Sequence, residues 1–219
     1  MADMIGENLT LKVMQDLKAQ IFNFKLLPGV RISDKEVAQK MGMSRSPVRE
    51  ALVRLSEQGL VKSRHNRGFT VRDFSVQEVE DLYTLREAIE VLAVRLALQR
   101  LDKKKTQSLQ QHLDRYPFLM ESSGLMKFNE VDEEFHDLIA TYSGNELLTQ
   151  NWKSLHGQIR IVRRYDYLRP NSFRETYADH SQIFEHMRHG ETSKAQKCMS
   201  RHIIKSMRII IKMLKDCGY

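Results

Sequence analysis

Two cysteines in 219 residues, Cys198 and Cys217, are too few for a disulfide framework, and their spacing matches neither a metal-binding nor a redox motif. Such sparing use fits a reducing compartment. Long hydrophobic runs are lacking too. No apolar stretch approaches the roughly 18 residues that a membrane span needs, and no basic flank followed by an apolar stretch marks the N-terminal region. Low-complexity segments and fixed-period repeats are also missing, which excludes fibrous and solenoid chains. The expectation is a cytoplasmic protein with no membrane contact.

What is present is positive charge, and its excess is local. Lys+Arg 35 against Asp+Glu 28 gives +7, which suits a polyanionic partner. Residues 1–73 hold 13 basic and 8 acidic residues, a net of +5, which leaves +2 for the other two thirds of the chain.

The excess coincides with the most patterned stretch, Val30 to Arg72. Ser33-Asp34-Lys35-Glu36 reads as a capping box that opens a helix, with Val37, Ala38 and Met41 on one face and Gly42 ending it. Ser44 is placed to cap a second helix, in which Val48, Ala51, Leu52 and Leu55 recur three and four apart before Gly59. Its opposite face carries Ser44, Arg45, Ser46 and Arg49. Leu60 to Arg64 and Phe69 to Arg72 then alternate apolar and polar around the turn His65-Asn66-Arg67-Gly68. Two crossed helices and a two-stranded wing with Arg67 and Gly68 near its tip make a winged helix-turn-helix. In that arrangement the N-terminal residues of the second helix meet base edges in the major groove. Arginine suits guanine, whose two acceptors match its planar fork, while hydroxyls and helix amides suit phosphate.

Leu9 to Leu26 reads as a helix packed behind this reader, through Leu9, Val13, Leu17, Ile21 and Phe24. Asp73-Phe74-Ser75 is the joint. A second capping box, Ser75-Val76-Gln77-Glu78, opens a long helix whose apolar face is expected to be Leu82, Leu85, Ile89, Leu92 and Leu96. Helical periodicity alone follows, over 103–121, 125–141, 146–167, 173–189 and 192–215, with breaks at Ser122-Ser123-Gly124, Ser143-Gly144-Asn145, Arg169-Pro170-Asn171 and Gly190. The expected fold is therefore mainly α, with a winged helix-turn-helix in residues 1–74 and an all-α bundle in 75–219. The C-terminal IIIKML stretch belongs to an amphipathic bundle helix with Lys205, Arg208, Lys212 and Lys215 outside.

The stretch PGVRISDKEVAQKMGMSRSPVREALVRLSEQGLVKSRHNRGFTV resembles the N-terminal domain of GntR-type bacterial transcription regulators. The helical part that begins LYTLREAIE resembles their FadR/FCD branch. The resemblance implies a homodimer that binds palindromic double-stranded operator DNA, probes it with the residues named above, and answers to a small ligand. In the fatty-acid-responsive member that names the branch, an arginine contacts DNA where this chain has Lys35. Lysine keeps the charge and loses the fork, so Lys35 is expected on phosphate.

Asp132 and His136 lie four apart and share a helix face with Phe128 and Ile139, while His180 and His202 sit beside apolar positions on two later helices. By themselves these residues are not joined, since an Asp and a His at this spacing also read as a surface pair or a core hydrogen bond. The resemblance connects them: many FCD domains hold a metal with an Asp-x-x-x-His pair and one histidine from each of two later helices. Three imidazoles and a carboxylate suit a divalent transition metal, Zn or Ni, better than Ca or Mg. One or two coordination positions would stay open for water or for the carboxylate of a small effector acid. Arg86, and less directly Arg160 and Arg163, would clamp that anion. The branch-naming member lacks the metal set, so the resemblance favours a carbohydrate or metabolic acid over acyl-CoA. Of the remaining His112, His156, His186 and His189, His156 alone lies near the presumed pocket helix, and most are expected in solvent.

The expected function is that of a sequence-specific transcriptional regulator, a repressor released by an acid at a metal pocket, with no enzymatic activity. Two rivals use the same cluster. One is a regulator whose effector is the cation itself. The other is a metal-dependent hydrolase, disfavoured because its general bases, Glu133 and Glu134, would point away from the metal face.

Overall fold

A computed structural model describes residues 2–64, 68–117, 125–167, 169 and 171–216. The chain divides into two compact units, Met1–Asp73 and Phe74–Tyr219.

In the first unit, α1 (Ala2–Phe22) begins earlier than its apolar pattern indicates and ends earlier too, where the chain turns through Phe24 at φ 57°. Its Val13, Leu17 and Ile21 pack on α3 (Arg45–Glu57) and are buried with Val48, Ala51, Leu52 and Leu55. Between them lies α2 (Asp34–Met41). The Ser33 side chain accepts from the Glu36 amide, and Gly42 closes the helix at φ 64°, a left-handed conformation that side-chain-bearing residues adopt with strain. Ser44 has the extended backbone of a cap, but its side chain caps nothing. The two wing strands form as expected, and a third strand joins them: β1 (Arg31–Ile32), β2 (Val61–Arg64) and β3 (Gly68–Val71) make an antiparallel sheet in the order β1-β3-β2. β1 pairs Arg31 with Thr70 and Ile32 with Phe69. Two residues are too short a segment to show alternation, so β1 has no signature in the sequence.

The second unit contains the helices α4 (Val76–Leu98), α5 (Lys103–Leu113), α6 (Leu125–Tyr142), α7 (Glu146–Tyr167), α8 (Ser172–Arg188) and α9 (Thr192–Asp216). Capping explains several starts. Ser75 and Glu78 form the full reciprocal box before α4, Asp102 accepts from the Lys105 amide at 2.8 Å, and Asn145 accepts from the Leu148 amide at 3.1 Å. The break at Ser122-Ser123-Gly124 lies outside the described residues.

The α4 helix packs on α9, α6 and α7, and α8 packs on α9. The buried stripe of α4 differs from the expected one. Val79, Leu82, Tyr83, Arg86, Glu90, Ala93, Val94 and Ala97 point inward, while Leu85 is exposed and Ile89, Leu92 and Leu96 are half-buried. Two buried polar residues turn α4 away from its most apolar face, and they do so at the candidate site.

Candidate metal centre and nucleic-acid interface

Asp132, Phe135, His136 and Ile139 recur at helical spacing along α6, and all four are buried. His180 occupies the inward stripe of α8 with Thr176, Ile183 and Phe184, and His202 that of α9 with Met199, Ile203 and Ser206. These three helices bring one donor atom from each of Asp132, His136, His180 and His202 to within 4.8 Å of one another. Donors around one ion at about 2.1 Å lie no more than about 4.2 Å apart, so a small contraction would enclose a cation.

The second layer decides which ring nitrogen faces the centre. His136 Nδ1 is bonded to Glu90, His202 Nδ1 lies 3.3 Å from Asp179 Oδ2, and His180 Nδ1 lies 2.8 Å from the Tyr116 hydroxyl. Tyr116 donates to the Val131 carbonyl at 3.4 Å and so accepts from His180. Each Nδ1 then donates outward, and each Nε2 turns its lone pair inward, the arrangement that orients metal-ligating imidazoles. Nε2 of His180 and Nε2 of His202 are buried and have no hydrogen-bond partner among the described residues. Buried acceptors without donors are costly, and a cation would satisfy both. The residues present fit a divalent metal on this ground.

Protonation agrees. Burial pushes His180 well below the ordinary imidazole range and His202 down to about 4, against the pull of Asp179, so both are neutral near pH 7. Burial opposes ionisation of Glu90, yet His136 and Arg86 bring its carboxyl down to about 2. Burial raises the Tyr116 phenol and keeps its proton in place.

Two guanidiniums complete the centre. Arg86, fully buried, donates from Nε to Glu90 at 2.6 Å and places Nη2 3.3 Å from His136 Nε2. Arg163, also buried, grips Asp132 through Nη2 at 2.6 Å and through Nη1. The clamp residues therefore separate: Arg86 and Arg163 reach the centre, whereas Arg160 pairs with Glu133 at 3.6 Å and Glu130 at 4.0 Å. Glu134 pairs with Arg115 at 2.5 Å, so neither expected hydrolytic base faces the cluster. Glu90, Tyr116 and Asp179 were missed by sequence reasoning. Glu90 carried a signal, lying four residues after Arg86 in LREAIE, and Asp179 adjoins His180, but nothing local marks Tyr116.

His112 corrects the expectation of a solvated side chain. It is 4 % exposed, near Phe135 and Tyr116, and burial lowers it to about 4 despite Glu134. Its unfolded value is about 6.5, so between those pH values the unfolded chain binds the extra proton and folding weakens as pH falls. In chelator, the wild type is expected to lose about 2 kcal/mol more stability than His112→Gln between pH 7 and pH 4. Denaturant midpoints measured across that range check the difference; parallel curves would refute it.

In the first unit Lys35, Ser44, Arg45, Ser46 and Arg49 are all exposed on α2 and α3. Gly68 is exposed at φ 78°, with Arg31 beside it. Arg67 lies outside the described residues. No helix among the described residues is long and apolar enough to cross a membrane.

Comparison with known proteins agrees with both units. A family profile described as bacterial regulatory proteins, gntR family, matches residues 9–71, and one for the FCD domain matches residues 81–205. The chain is 31% identical over 198 residues to the Nta operon transcriptional regulator of Aminobacter aminovorans, covering 88% of this chain and 90% of that one. It is 27% identical over 194 residues to the HTH-type transcriptional repressor RspR of Escherichia coli, covering 88% and 84%. The solved structure of E. coli McbR/YncC superposes with a TM-score of 0.79 at 25% identity, covering 94% of this chain and 98% of that one.

Proposed function

The chain belongs to the gntR family of bacterial regulatory proteins and carries their FCD domain, and from that premise we propose a homodimeric repressor released from palindromic operator DNA by a small organic acid at a metal pocket. The observation that carries the reading is the buried convergence of Asp132, His136, His180 and His202 beside Arg86 and Arg163. Bound there, a divalent cation would supply Lewis-acid affinity for a carboxylate oxygen.

Charge explains why the effector should be an acid. Asp132 and Glu90 balance Arg86 and Arg163, so the protein's own charges in the centre sum to zero. A divalent cation adds two positive charges to a site closed to water, and an uncompensated buried charge is costly. An anionic ligand cancels it, beside the guanidiniums of Arg86 and Arg163, whose forks hold Glu90 and Asp132. Release of DNA then requires the acid to favour one arrangement of the two readers over another.

The dimer reading draws on the outward apolar face of α4. Leu85, 50% exposed, lines up with half-buried Ile89, Leu92 and Leu96, a stripe that a second copy would cover. Two-fold symmetry would set two α3 helices on successive half-sites. Leu85→Glu is expected to weaken operator binding about tenfold or more by dividing the dimer, with sedimentation showing monomer. A dimer of unchanged stability would remove that face from the reading.

Within the reader, Arg49→Ala is expected to weaken operator binding by about 1 to 3 kcal/mol and to relax base preference at one position per half-site. Titration against duplexes selected from a randomised pool measures both. Unchanged binding to selected and scrambled duplexes would move the reading face elsewhere.

The deciding experiment is operator titration with Zn or Ni present, with and without a panel of small mono-, di- and tricarboxylates. Release by an acid only when metal is present is the expected result. DNA affinity that follows free metal and ignores every acid would overturn the acid reading in favour of a metal-responsive regulator.

A further inference from the structure

The reading face contains one residue of the wrong sign. Asp34, the first residue of α2, has a side chain 19% exposed and lies among the exposed Lys35, Arg45 and Arg49. Both of its carboxylate oxygens accept from Arg45 Nη2 at 2.9 Å, and Oδ2 lies 3.6 Å from Arg49 Nε. The hydrogen bond from Arg45 above all holds the Asp34 carboxyl below the usual carboxylate range.

Stability offers little reason for this arrangement, because exposed ion pairs contribute on the order of 1 kcal/mol or less. Affinity for DNA offers a reason against it, because a carboxylate repels phosphate. Selectivity offers a reason for it. Arg45 and Arg49 lie four apart on α3 and repel each other. A carboxylate between them draws both guanidiniums toward one point. Any duplex must also replace the bonds these arginines already make. A phosphate can also accept from an arginine fork, but it does so at every step of the backbone and carries no base identity, whereas guanine N7 and O6 offer two acceptors at one place in the groove.

We propose that Asp34 is a positioning residue that sets specificity, holding Arg45 and Arg49 together and disfavouring duplexes that offer phosphate alone. The proposal rests on α3 being the reading helix. It concerns a residue that itself touches no base.

The test uses the full chain and two probes: a duplex selected by the wild type from a randomised pool, and a scrambled duplex of the same composition. Asp34→Asn keeps the side-chain shape and loses the charge. It is expected to bind the scrambled duplex about fivefold tighter, to steepen the salt dependence by about one ion, and to lower the ratio of selected to scrambled affinity about tenfold. Asp34→Glu, which restores the charge, should recover most of that ratio. In an Arg45→Ala, Arg49→Ala background, Asp34→Asn should leave the ratio unchanged without lowering affinity for either duplex, whereas a merely structural role of Asp34 in α2 would lower both affinities there too.

Three results overturn the proposal. Equal changes on both duplexes would place Asp34 in the stability of α2. Loss of preference at a single base pair with unchanged scrambled binding would make Asp34 itself a reader, accepting from a cytosine amino group. Failure of the wild type to enrich any sequence would remove the reading helix and the proposal together.

Discussion

Protein purified without chelator or affinity tag is expected to carry about one transition-metal ion per chain, and the His180→Ala, His202→Ala double variant to carry none. The two histidines come from α8 and α9, so no local rearrangement of α6 could replace them. Their inward nitrogens lack hydrogen-bond partners among the described residues, so removing the rings breaks their outward Nδ1 bonds to Tyr116 and Asp179 and none through Nε2. Loss of even one outer-shell partner typically weakens metal binding 10–100-fold, so loss of two direct ligands should weaken it at least about a thousandfold. Elemental analysis and competition with a chromophoric chelator measure this. A metal content unaffected by the double substitution would place the ion elsewhere. A folded wild type with no metal under metal-replete conditions would remove the ion from the mechanism and leave the DNA reading intact.

The second large effect concerns the metal-free protein. Asp132→Ala is expected to destabilise the second unit by about 3 to 5 kcal/mol, because it removes the carboxylate gripped by the buried fork of Arg163. For a unit of this size that lowers the melting temperature by roughly 10 °C. Replacing the arginine as well, in Asp132→Ala, Arg163→Met, should recover much of the loss, since an apolar pair leaves no charge to desolvate. A single variant as stable as wild type in chelator would show that Asp132 carries no structural charge. Asp132→Asn, which keeps the shape, is therefore the better substitution for asking whether metal response depends on Asp132. Operator binding without effector should persist in it, because the reader packs its own core.

That reader was the most legible part of the chain. Gly42, the apolar spacing of α3 and the alternation around residues 65–68 are local signals, each produced by the conformation its own segment adopts. β1 was not legible, because two residues become a strand only by pairing with β3. In the bundle, helix existence and approximate length were readable from period and capping. The inward face of α4 was not. Summed hydrophobicity pointed to Leu85, Ile89 and Leu92, whereas Arg86 and Glu90 are buried because His136, on another helix, gives them partners.

The four metal-type side chains illustrate the same division. Residue type and the i, i+4 spacing of Asp132 and His136 are properties of the sequence, and they limit the chemistry to a hard-to-bury polar pair. Joining them to His180 and His202 required the resemblance, since the intervals between them span whole helices. The sequence by itself determined which segments are helical, where the positive charge lies and which side chains could ligate a cation, because these depend on backbone propensity and residue chemistry within a few positions. Tertiary structure alone decided that Glu90, Tyr116 and Asp179 would turn three imidazoles inward, that Arg163 would reach the centre while Arg160 would not, and that His112 would be buried. Each of these depends on contacts between helices far apart in the chain, where burial makes a missing partner costly enough to select one arrangement.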